Sequence, residues 1–171
     1  MKRKFEILVA TGIAVTLAGC SFSVGEPREE RVANAVQGAM EERGMEVIEI
    51  SFEEDADDRD LYLGEAVVRL EGDEEEIRSS CRVTVDEEQT ISASDCPGIT
   101  AAVRANNLEG LITDHYQGQN IEMIEVSIQG AEDGSFTGYA EVRNPQTDQP
   151  TRLNCTAQMT DDSGADWNCA Q

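Results

Sequence analysis

Catalysis near neutral pH usually relies on a side chain that titrates there, and this chain of 171 residues has one histidine, His115. His115 stands beside Tyr116 at the end of an apolar stripe with helical spacing, which reads as a residue flanking a core. No Gly-x-Ser-x-Gly elbow, phosphate loop, dinucleotide fingerprint or His-Glu-x-x-His pair is present. A hydrolase would have to use paired carboxylates, and 35 acidic residues place such pairs everywhere by chance. The expectation is a noncatalytic protein that needs no cofactor, with an uncharacterised envelope hydrolase as the third-ranked reading.

Carboxylates also suggest cations. Counted from Asp55, the run Asp55-Ala56-Asp57-Asp58-Arg59-Asp60 offers the first and third positions of an EF-hand loop but places Arg59 at the fifth and Asp60 where glycine is required. Asp161-Asp162-Ser163-Gly164-Ala165-Asp166 lacks the spacing too and reads as a turn. No dedicated metal site is expected. An acidic, calcium-type cation-binding module is the alternative function, requiring carboxylates from both loops to converge. Arg69 and Arg143 lie inside strand patterns; they are candidate binding residues for an anionic ligand or partner, or else the partners of carboxylates on adjacent strands.

The amino terminus supplies an address. Lys2, Arg3 and Lys4 precede an apolar run from Phe5 to Leu17, which is shorter than the roughly 20 residues of a spanning helix. Leu17-Ala18-Gly19-Cys20 then resembles the lipobox of bacterial lipoproteins. That resemblance implies cleavage after Gly19, diacylglycerol on the Cys20 thiol and acylation of the new amino group, hence firm membrane attachment by two or three acyl chains. It also implies a cell-envelope location. Ser21 stands where enteric bacteria use aspartate for inner-membrane retention, so the outer membrane, facing the periplasm, is favoured if the source has two membranes.

Cleavage would remove Lys2, Arg3, Lys4 and Glu6 from 13 basic and 35 acidic residues, leaving 10 bases, all arginine, and 34 acids. Such a surface repels nucleic acid and anionic headgroups, so the expected partners are the membrane, through the anchor, and an envelope protein. Aromatic residues are only 5% of the chain, and a small aliphatic core would gain from covalent staples. Apart from Cys20, the cysteines are Cys81, Cys96, Cys155 and Cys169, an even count in an exported chain, with spacing unlike a zinc site. Two disulfides are expected.

The elements that must hold these residues occur twice. A shift of 76 aligns Ile48-Glu49-Ile50-Ser51-Phe52 with Ile124-Glu125-Val126-Ser127-Ile128. A shift of 74 aligns Gly64 to Arg69 with Gly138 to Arg143, and Cys81 with Cys155; Cys96 meets Cys169 at 73. The change from 76 to 74 gives the first copy a loop two residues longer, where the acidic run sits. In each copy a helical stripe (Val32, Ala35, Val36, Ala39, Met40; Leu108, Leu111, Ile112, Tyr116) ends near a glycine, Gly44 or Gly118. Four strand patterns follow: Val47–Phe52, Leu61–Leu70, Ile77–Val85 and Ile91–Asp95, then Ile124–Ile128, Phe136–Arg143, Thr151–Met159 and Ala165–Cys169.

The predicted fold is α+β: two tandem α-β-β-β-β units, each a helix on an antiparallel sheet, with the two sheets candidates for merger into one of eight strands. The boundaries are 1–19 signal peptide, 20–28 lipidated tether, 29–96 first unit and 97–171 second unit. Cys81 and Cys96 are nearly equidistant from a turn at Asp86–Gln89, and Cys155 and Cys169 from one at Asp161–Gly164, so each pair is expected to close its own hairpin. Trp167 is expected to pack beside the second bridge. In architecture alone the layout resembles the tandem-repeat beta-lactamase inhibitory proteins, which grip a protein with a concave sheet. The expected function is a membrane-anchored, noncatalytic envelope lipoprotein presenting a protein- or ligand-binding module.

Overall fold

The computed structural model describes residues 27–86, 90–130, 134–146, 148–160 and 165–171. Leu17 to Cys20, where the sequence resembles a lipobox, and the turn predicted at Asp161–Gly164 lie outside these residues, as do 87–89 of the turn predicted after Asp86. The fold is α+β and mostly sheet, built from α1 (Arg28–Glu41), β1 (Met45–Glu54), β2 (Leu61–Leu70), β3 (Glu76–Val85), β4 (Ile91–Asp95), α2 (Pro97–Gln117), β5 (Glu122–Gly130), β6 (Ser135–Arg143), β7 (Pro150–Met159) and β8 (Ala165–Ala170). The strands form two four-stranded antiparallel sheets, β1-β2-β3-β4 and β5-β6-β7-β8. The chain divides into two compact units at Thr100/Ala101, within α2. Among the described residues no helix is long and apolar enough to cross a membrane.

In the first unit, Val32, Val36, Ala39 and Met40 bury one stripe of α1, and Tyr62, Ala66, Val68, Cys81 and Val83 bury the inner face of the sheet. The alternation along β3, with Ser79, Cys81, Val83 and Val85 buried and Arg78, Ser80 and Arg82 exposed, is the period-two signature of a sheet with one wet face. In the second unit, Ala105, Leu108 and Ile112 from α2 join Ile128, Phe136, Ala140, Cys155 and Ala165 in the core, with Tyr116 and Trp167 packed against it.

The copies match in detail. Both first strands carry one extra residue at the same place: register slips between Val47 and Glu49 in β1 and between Met123 and Glu125 in β5. The extra residues, Ile48 and Ile124, are two of the most exposed large apolar side chains, because a bulge frees one residue from the pleat. The disulfides join Cys81 to Cys96 and Cys155 to Cys169, each within its own unit and with Cα atoms 4.3 and 4.1 Å apart. Such short separations suit cross-strand neighbours that do not exchange backbone hydrogen bonds.

Two helix ends differ from their sequence patterns. After α1, Gly44 takes the left-handed conformation (φ 78°) as expected, but after α2 that role passes to Asn120 (φ 57°), not Gly118. The chain after Gly118 makes one more hydrogen-bonded turn, with Ile121 N–H donating to Tyr116 C=O at 3.0 Å, and asparagine tolerates the left-handed region well enough to complete it. Helix α2 also starts eleven residues before Leu108. Pro97 suits a first helical position, and the Gly98 N–H donates to the buried Ser79 hydroxyl at 3.0 Å, satisfying one of the four free amides of the first turn.

Candidate functional site

The two arginines singled out by the strand patterns both lie on the outer, solvent face of a sheet, and both meet carboxylates. Register pairs Glu46, Arg69 and Glu76 in one row across β1, β2 and β3. Arg69 donates through Nη1 to Glu46 at 2.8 Å and through Nη2 to Glu76 at 3.2 Å. In the second unit Arg143 meets Glu122 at 3.3 Å and Asp148 at 3.9 Å, while Pro150 takes the register position that Glu76 holds in the first. These are cross-strand pairs in contact with water, each worth about 0.2–1 kcal/mol.

The adjacent row contains residues that strand patterning missed. Arg78 donates to Glu65 at 2.9 Å and lies 3.9 Å from Glu49. Beneath this lattice Val67 is only 3% exposed although it shares the outer face with Glu65 and Arg69. Its second-unit counterpart is Glu141, in register with Glu125 and Arg152. There Arg152 places its guanidinium carbon 3.5 Å from the ring centroid of Tyr139, and the Tyr139 hydroxyl donates to Glu125 at 2.7 Å. That hydrogen bond raises the Tyr139 pKa, because ionisation would set phenolate against carboxylate. The outer faces thus hold charged and aromatic side chains paired across strands.

A second feature lies under α1. Arg28, Arg31, Val32, Ala35, Tyr62, Val85 and Ile91 line an open hollow of about 300 Å³, solvent side included. Arg28 lies 3.8 Å from Glu54, which accepts a long hydrogen bond (3.4 Å) from the Tyr62 hydroxyl. Burial first, then the Glu54 carboxylate, pushes the Tyr62 phenol above its ordinary pKa near 10. The folded chain then holds the proton more tightly than the unfolded one. This contribution to stability is fully present below about pH 10 and is lost as pH rises through the folded pKa. Alkaline titration followed by phenolate absorbance should show one tyrosine ionising together with unfolding of the first unit, and Tyr62→Phe should remove that step.

Comparison with protein-family models, with curated proteins and with solved structures finds no match. Function therefore has to be argued from this chain's own residues.

The other sequence candidates fall into place locally. His115 Nε2 lies 2.6 Å from the Gln119 amide nitrogen, and its ring meets Trp167 edge-on at 5.1 Å. In the loop from Asp55 to Asp60, the Asp55 carboxylate accepts from the Asp57 and Asp58 amides (2.9 and 3.1 Å) and the Asp58 carboxylate from the Asp60 amide (3.1 Å). These carboxylates fold their own turn. Among the described residues no group of three or more His, Cys, Asp or Glu is gathered as a metal site. Glu109, unremarked in the sequence, reaches from α2 to accept the edge amide of Ile128 on β5 at 2.7 Å. This occupies a donor that an edge strand would otherwise offer to another chain.

Proposed function

We propose that this chain is a membrane-anchored, noncatalytic lipoprotein of the cell envelope whose paired α+β units present an outer sheet face to a protein or ligand. The observation that carries the reading is Leu17-Ala18-Gly19-Cys20, placed directly after a cationic start and an apolar run too short to span a bilayer. The bridges Cys81–Cys96 and Cys155–Cys169 support it, because disulfides persist in oxidising compartments such as the periplasm. The braced outer rows support a binding role: side chains already fixed by neighbours lose little entropy when a partner docks. Where the source has two membranes, Ser21 favours the outer one.

The test is metabolic labelling with a fatty-acid analogue. The wild-type chain is expected to take up label and mature by loss of residues 1–19. Cys20→Ser should abolish the label completely and leave the uncleaved precursor. Normal maturation and labelling of Cys20→Ser would overturn the proposal.

A further inference from the structure

The outer face of the second sheet differs from that of the first in one respect that its fold does not require. Register places Gln129, Thr137, Thr156 and Asn168 side by side across β5, β6, β7 and β8. All four are exposed. In the first unit the corresponding row is Glu53, Leu63, Arg82 and Asp95, with three charges. The next row of the second sheet, which includes Tyr139 and Asn154, is also uncharged. In a chain with 28% charged residues this is a neutral strip on an acidic molecule. Strand propensity accounts for Thr137 and Thr156 but not for Asn168, since threonine is enriched and asparagine depleted in strands.

We propose that this strip binds a neutral polysaccharide, Gln129, Thr137, Thr156 and Asn168 forming the hydrogen-bonding row and Tyr139 an aromatic wall beside it. The inference rests on the binding-module reading above and names its ligand class. Amide and hydroxyl side chains both donate and accept, as sugar hydroxyls do. A charged side chain in the same place would have to shed a tightly held hydration shell for neutral partners. None of the four makes a side-chain hydrogen bond to the rest of the chain among the described residues, so their polar groups are free to exchange water for ligand. Four strands at their usual spacing make the row about 14 Å wide, room for several pyranose rings lying flat. Tyr139 is held by Glu125 and Arg152, so its ring is oriented before any ligand arrives.

The experiment titrates the full-length lipoprotein, in a zwitterionic detergent free of sugar headgroups, with cellohexaose and with N-acetylchitohexaose. Calorimetry is expected to detect binding of at least one, and the side-chain amide resonances of Gln129 and Asn168 should move with it. The triple substitution Gln129→Glu, Thr156→Arg and Asn168→Asp copies the charges of the first unit and should weaken binding at least about tenfold without lowering the melting temperature. The reverse exchange in the first unit, Glu53→Gln, Arg82→Thr and Asp95→Asn, should leave binding unchanged. Absence of binding tighter than about 1 mM to both sugars, or shifts confined to other residues, would overturn the proposal. A protein captured on this strip in place of the sugars would also overturn it while leaving the binding-module reading intact. The fatty-acid labelling result is independent of both.

Discussion

Removing the Cys81–Cys96 bridge with the pair Cys81→Ala and Cys96→Ala is expected to lower the melting temperature of the first unit by about 12–24 °C. Closing a loop of 15 residues restricts the unfolded ensemble by about 3 kcal/mol, and each kcal/mol shifts the midpoint of a domain this small by roughly 4–8 °C. The native state adds to the loss, because both cysteines are buried (4% and 2% exposed) and smaller side chains leave space behind. Strand β4 has five residues and the bridge lies at its end, so hydrogen exchange should show β4 opening first. The same exchange at Cys155 and Cys169 should loosen β8. Calorimetry of each pair against wild type measures the effect, and a shift of only a few degrees would mean that the bridges do little to restrain the unfolded chain.

Gly64→Ala and Gly138→Ala are expected to be at least as damaging, about 3 kcal/mol or more, while two other glycine-to-alanine changes should stabilise. At Gly64 a Cβ would collide with the Ser51 carbonyl oxygen and come within 3.0 Å of the Phe52 Cα; at Gly138 it would collide with the Ser127 carbonyl oxygen and come within 2.9 Å of the Ile128 Cα. The obstacle is the backbone of the neighbouring strand, which cannot step aside without breaking its ladder. Gly38 in α1 and Gly110 in α2 have nothing within 4 Å of the same position, so alanine there should add about 0.5–1 kcal/mol of stability. Chemical denaturation of the four variants gives the comparison, and equal effects in strands and helices would show that the close strand approach is relieved at little cost.

Much of the architecture was legible because hydropathy period and duplication reinforce each other. Leu61–Leu70 and Ile91–Asp95 appear as strands with the bounds that alternation indicates, and the remaining strands extend by one or two residues at one or both ends. Many of the added residues are charged or polar, such as Glu54 and Glu122, whose backbone continues the ladder although their side chains show no apolar signal. The early start of α2 was hidden for a different reason. Between Pro97 and Asn107 the apolar stripe is thin, and the helix is held there by the hydroxyl of Ser79, which comes from another strand.

The outer rows show the same divide. Arg69 and Arg143 drew notice because arginine within an apolar strand is unusual. Their partners Glu46 and Glu122 lie 23 and 21 residues away and could not be named before register was known. Register in turn depends on the bulges at Ile48 and Ile124, which move every later residue of β1 and β5 by one place. A slip of one residue would turn Gln129 away from Thr137 and dissolve the neutral strip.

The sequence by itself determined the composition of each face, the two copies and the cysteine spacing, because these follow from local period and from counting along the chain. Tertiary structure alone decided which residues stand side by side: Arg152 over Tyr139, Glu109 on the Ile128 amide, Ser79 on Gly98. Those neighbours are set by strand register and helix docking, and both depend on contacts between residues far apart in the chain.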